Sequence, residues 1–193
     1  MHRYWLGSGP VTSLPVRIRP LRGRAILAVL TLCLAGLYGA ATAVLLLTGS
    51  DFAFDDRVNP FVLLATGLAF ISWQFDARTN LEGVEPPLRW HPIWSYGAWL
   101  VPPACLVISL QVINEIDSAT QRLANGSVRH GLFTVWAVPW TTFQIAWFCS
   151  GGLLEAILQL VAAVPAVLLV LRITAQQEAA AAVTPLRLGG TAR

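Results

Sequence analysis

Lysine is missing from this chain; all thirteen basic residues are arginine. Charged residues fill only 12% of its 193 positions, about half of the ~25% typical of a soluble domain. Too little charge is available to coat a globule, which argues against a water-soluble fold. Cysteine is scarce as well. Cys33, Cys105 and Cys149 lie far apart inside apolar runs, without CxxC or other metal spacing. They read as small packing residues rather than disulfides or ligands. His2, His91 and His130 sit on separate segments, which speaks against a metal centre. No serine stands in a G-x-S-x-G setting, and no phosphate-binding loop occurs. No catalytic residue, cofactor or metal is therefore expected, and no enzyme. Methionine occurs only at position 1; with the missing lysine and the abundant alanine and leucine, this composition is associated with GC-rich bacterial genomes.

What is present is apolar: 55% of the residues are hydrophobic, gathered in runs that approach the length of a bilayer crossing. The expected class is all-α, a polytopic helical membrane protein. Residues 1–24 form a basic, proline-punctuated lead. An uninterrupted apolar run follows over 25–48, longer than the ~7–15-residue core of a signal peptide, and reads as an uncleaved first span. After a short acidic loop, Asn59 and Pro60 open a second helix, with its apolar part at 60–75 and a continuation past Arg78 into water. Residues 131–149 and 153–171 are two further runs, separated by a tight turn at Ser150-Gly151-Gly152. The membrane domain is expected over 25–178, with a disordered tail at 179–193.

The segment WSYGAWLVPPACLVISLQVINEI, residues 94–116, is apolar enough to span but carries Pro102-Pro103 near its middle. Arginine placement decides between two topologies. If this segment spans, five helices leave seven arginines inside and six outside; if it turns back, four helices leave twelve inside and only Arg57 outside. The positive-inside rule favours the second arrangement. Beyond the prolines, Leu106, Leu110, Ile113, Ile116 and Leu123 follow a helical period, while Gln111, Asn114, Glu115, Ser118, Gln121 and Arg122 fill the other face. Residues 93–123 are thus expected to be a re-entrant or interfacial amphipathic element, with five spans as the alternative. Trp73, Trp90, Trp94 and Trp99 would be interfacial anchors. Both termini then face the cytoplasm of a bacterial inner membrane. The net charge of +3 reflects helix-end arginines, and no nucleic-acid partner is expected.

Two sets of polar residues stand out. Folding the last two runs about Gly151-Gly152 brings Gln144 level with Gln159, which predicts a hydrogen bond between them. With Glu155 one turn away they form a candidate intramembrane polar site, either a proton or cation site or a carboxylate near enough to the surface to reach water. Arg78, Asn80 and Arg89 flank the inner mouth of the second helix. They are a candidate anionic-lipid or ligand contact, weighed against simple helix-end anchoring and capping.

Several of these pieces resemble a bacterial family of integral membrane proteins, domain of unknown function 4328. The resemblance rests on Trp73, Arg78-Thr79-Asn80, Arg89, Pro92-Ile93-Trp94, Gly97, Trp99 and Pro102. It continues through Glu115-Ile116, Trp136, Trp140 and the block from Arg172 to Gln177. It runs from about Pro60 to Glu178. It departs from the family pattern at Cys105, where the family carries asparagine, at Ser109, where it carries proline, and at Asp117, where it carries tryptophan. The resemblance implies an integral membrane protein and no activity. The expected role is structural, interaction or accessory, with membrane lipids and a membrane-protein partner or a second copy as partners; the alternative is a small transporter or channel.

Overall fold

The computed structural model describes residues 19–49, 58–82, 87–125, 127–149 and 152–189. They form six helices: α1 (Arg22–Thr48), α2 (Val58–Thr79), α3 (Trp94–Leu100), α4 (Pro102–Asn125), α5 (Gly131–Cys149) and α6 (Leu153–Gly189). The all-helical class expected from the apolar runs is what the chain adopts. Local chemistry sets several boundaries. Gly49 ends α1 at φ +62°, where only glycine sits without strain, and its N–H reaches Leu45 O. Pro60 lies in the first turn of α2, where its missing N–H is not needed.

Two helices pack against α1, and both run opposite to it. Thr66 Oγ1 donates to Thr31 O at 3.0 Å, and Arg24 Nη1 to Ser72 O at 3.1 Å, so α2 is antiparallel to α1. On α1, Ala35, Gly36, Gly39 and Ala43 are buried. Gly39 lies so close to α6 that a Cβ there would stand 2.8 Å from Ala156 O; at Gly36 it would stand 3.0 Å from Ala163 Cβ. Small residues allow such backbone approach in membrane bundles, where packing must replace the hydrophobic drive. These pairs make α6 antiparallel to α1 and parallel to α2. The start of α1 and the ends of α2 and α6 therefore share one end of the molecule, called the basic end here; the opposite end is the far end.

α3 and α4 form a helical hairpin. Val101 between them is extended (φ −105°, ψ 111°), as a residue before proline must be. The hairpin enters from the basic end, where the N–H groups of Arg89 and Trp90 bond to Glu115 of α4. Trp99 reaches Gln74, and Gln144 of α5 lies 3.9 Å from the Cys105 sulfur. The hairpin returns to the basic end, where Thr120 meets Gln177 of α6. The proline pair thus turns the segment back on itself. The expected amphipathic partition is corrected: Ser118 and Gln121 are buried while Leu123 is exposed. The polar face of α4 finds partners on α6 and in the 129–130 segment, and so packs inward.

The number of spanning helices is also corrected. Four were expected; among the described residues three, α1, α2 and α6, are long and apolar enough to cross a membrane. α5 is a 19-residue helix with Pro139 inside it. At 1.5 Å per residue it is about 28 Å long, short of the ~30 Å hydrocarbon core. α6, in contrast, passes the expected stop at Leu171 and continues to Gly189, through the start of the tail expected at residue 179. Residues 1–18 and 190–193 lie outside the described residues. Leucine and phenylalanine cover the outside, with Leu37 67% and Phe61 71% exposed, while Gln74, Asp117 and Gln177 are fully buried. This inside-out distribution fits a hydrocarbon surround and supports membrane association.

Candidate functional site

Buried polar side chains converge at the basic end. Gln177 of α6 is their centre. Its amide nitrogen donates to Ala77 O and to Thr120 Oγ1, each at 3.0 Å, and its oxygen accepts from Asn80 Nδ2 at 3.2 Å. Three elements, α2, α4 and α6, thus meet at one fully buried amide. Asn80 extends the set to the segment before α1: its oxygen accepts from Arg19 N at 2.7 Å, and Nδ2 also donates to Arg19 O at 3.0 Å. Asp76 binds Arg24 at 2.9 Å and lies 3.9 Å from Arg19. Trp73 Nε1 donates to Thr174 Oγ1 at 3.0 Å. Asp117, fully buried, pairs with Arg172 at 2.5 Å and accepts from Gln121 Nε2 at 2.9 Å. Gln121 in turn accepts from Arg129 N at 2.6 Å.

Beneath this network, towards the bundle centre, lies an aromatic cluster. Trp136 and Trp140 stack at 6.0 Å, and Trp99 meets Trp140 edge-on at 5.7 Å. Phe70 touches Trp73, Trp99 and Trp136 at 5.3, 5.8 and 6.3 Å. Trp99 Nε1 donates to Gln74 Oε1 at 3.0 Å, which carries the polar network down into the rings. Of the expected interfacial tryptophans, Trp73 is corrected: it is completely buried, because its N–H finds Thr174 inside the bundle. Trp90, Trp94 and Trp99 are half-buried; Trp90 and Trp94 meet edge-on at 5.8 Å.

The Arg78, Asn80 and Arg89 triad is separated by the fold. Asn80 is buried and committed to Arg19 and Gln177. Arg89 is exposed and stacks on Trp90 at 5.5 Å. Arg78 is buried, donates to Trp90 O and lies 3.6 Å from Glu82. Its Nε and Nη1 have no hydrogen-bond partner, and neither do Gln74 Nε2 and Ser95 Oγ nearby. Each such orphan costs about 1–3 kcal/mol.

The pairing expected between Gln144 and Gln159 is corrected. Gln159 donates to Ala35 O of α1 at 2.9 Å, and Gln144 faces the Cys105 sulfur of α4. The depth argument fixed the level of each residue but not the helix rotation, and the small-residue seam turns this face of α6 towards α1. Glu155 meets Asn59 Nδ2 of α2 at 3.5 Å, near the far end. Asp76, Gln74 and Thr120 were not singled out from sequence, and Gln121 was placed only on an outward polar face. Their signal was polarity within helices that also carry apolar runs.

Residues 57–188, more than half of the chain, match the family model described as domain of unknown function (DUF4328). No curated protein and no solved structure matches. The matched region begins ahead of α2 and ends within α6, so α1 lies outside it. It contains the Gln177 network, the Asp117–Arg172 pair and the aromatic cluster.

Proposed function

The chain belongs to the DUF4328 family, and on that premise we propose that it is an integral membrane protein with a structural or accessory role beside other membrane components. One observation carries this reading. At the basic end the buried Gln177 amide of α6 is spent on Ala77 of α2, Thr120 of α4 and the adjoining Asn80. A conduit needs polar groups turned towards a water path; a scaffold needs them locked between helices. The partner is a membrane protein or a second copy, seated against the lipid-exposed faces.

The positive-inside rule places the basic end, with Arg19, Arg24, Arg89, Arg129 and Arg172, in the cytoplasm of a bacterial inner membrane. A small transporter or channel is the second reading, and the contact between Glu155 and Asn59 near the far end favours it. Purification from native membranes in mild detergent separates the two. A stoichiometric membrane-protein partner supports the accessory role; a lone homo-oligomer that carries ion flux in liposomes overturns it.

A further inference from the structure

Four of the buried polar atoms without hydrogen-bond partners belong to residues of the α2–α3 interface. Gln74 and Arg78 are one turn apart on α2 and therefore share a face. That face is turned to the α3 limb of the hairpin, because Gln74 Oε1 accepts from Trp99 and Arg78 donates to Trp90 O. Ser95 lies on α3 between those two contacts, one turn before Trp99, and is completely buried. Gln74 is completely buried and Arg78 is 5% exposed. Gln74 Nε2, Arg78 Nε and Ser95 Oγ lack hydrogen-bond partners, and so does Arg78 Nη1, which faces only the Glu82 carboxylate at 3.6 Å. Elsewhere at this end Asp76 Oδ1, Arg122 Nε, Arg172 Nε and Gln176 Oε1 also lack hydrogen-bond partners, but Asp76 and Arg172 are ion-paired.

We propose that Gln74, Arg78 and Ser95 form a binding site for an oxyanion, closed over by α3. The donor set dictates the ligand. One guanidinium, one amide N–H and one hydroxyl offer several donors and a single positive charge, which suits a phosphate oxygen cluster. Glu82 is the only carboxylate in ion-pair contact with Arg78 among the described residues; it is largely exposed and can swing into water to release the guanidinium. Glu115 is held by the N–H groups of Arg89 and Trp90, so it stays with the loop. α3 has seven residues and ends in the extended Val101, a short limb whose lifting opens the face of α2 from the basic end. Free phosphate and a phospholipid headgroup share this chemistry, and both can approach from that end.

The test uses the full-length protein in nonionic detergent, titrated with inorganic phosphate or with phosphatidylglycerol, with phosphatidylcholine as the neutral control. Thermal midpoint and tryptophan emission are followed, since Trp90 and Trp99 flank the site. Phosphate or phosphatidylglycerol is expected to raise the midpoint and shift the emission. Ser95→Ala and Gln74→Leu are expected to weaken the half-saturating concentration about tenfold, the value of one charge-assisted bond. Ser95→Ala removes only an unpaired hydroxyl, so its unliganded midpoint should stay level or rise, which keeps the test open even if Arg78→Gln fails to fold. A response to phosphate identifies a free oxyanion; a response to phosphatidylglycerol alone identifies a headgroup. No response to either, or equal responses in the parent and in both Ser95→Ala and Gln74→Leu, overturns the site.

Discussion

Two buried residues of the basic end answer to different physics. Gln177 is neutral and makes three bonds to three partners. Gln177→Leu keeps the volume but leaves Thr120 and Asn80 short of a partner, so a loss of about 2–3 kcal/mol is expected. A fall in the thermal midpoint in detergent, larger than for an exposed α6 change such as Leu168→Ala, would show it. Asp117 and Arg172 form an ion pair with one member fully buried and the other a quarter exposed. Breaking such a pair from one side strands a charge and costs about 3–5 kcal/mol, whereas replacing both members by apolar residues is close to neutral. Asp117→Leu alone should therefore be more damaging than Asp117→Leu with Arg172→Leu. A double-mutant cycle in which the two losses simply add would refute this coupling. Tryptophan, the residue that the family resemblance associates with position 117, is apolar and nearly uncharged at its N–H, so the single Asp117→Trp change strands Arg172 in the same way.

At the scale of helices, the seam between α1 and α6 is set by backbone approach. Gly39→Val must displace Ala156 O, a backbone atom that cannot move aside, so it should destabilise the fold markedly; Gly36→Val meets side chains, the Ala163 methyl and Leu160 Cδ1, and should cost less. Gly67 of α2 has open space around its Cβ position. Gly67→Ala is thus expected to leave the midpoint unchanged or raise it by up to the ~1 kcal/mol helix preference of alanine. Equal effects at Gly39 and Gly67 would mean that the seam is not what holds α1. The ends of these helices were legible in the sequence wherever a local signal existed. Gly49 closes α1, Pro60 lies in the first turn of α2, and the run at 131–149 coincides with α5. The continuation of α2 beyond its apolar part was expected from sequence; the reach of α6 to Gly189 was not, because the arginine that would stop it in water has a partner here. Arg172 sits against Asp117, and Asp76 against Arg24. Rotation was the other unreadable quantity. α5 is apolar nearly all round, so nothing in its own residues told Gln144 which neighbour to face. The rotation of α6 was written in Ala35, Gly36, Gly39 and Ala43, a small-residue spacing whose meaning depends on the partner helix.

For the whole molecule, the decisive geometry is that α3 and α4 enter and leave at the same end. The contact of Arg89 and Trp90 with Glu115 ties the two mouths of the hairpin together. Its tip at Val101 lies beyond Trp99 and Phe70, away from both mouths. In a membrane, irregular backbone at such depth is tolerated when protein covers it; the aromatic cluster packs against Trp99, while Leu100 and Val101 at the tip are exposed. Single cysteines in a background of Cys33→Ser, Cys105→Ser and Cys149→Ser report on this directly. Arg22→Cys, Arg89→Cys and Arg129→Cys should react with a membrane-impermeant maleimide from one side of the membrane. Thr48→Cys at the end of α1 should react only from the other side, and Val101→Cys should resist from both until the membrane is dissolved. Reaction of Arg89→Cys and Arg129→Cys from opposite sides would mean that residues 94–125 cross the bilayer. The basic end could then not be a single surface, and the Gln177 network that joins α2, α4 and α6 could not exist in the membrane-embedded protein.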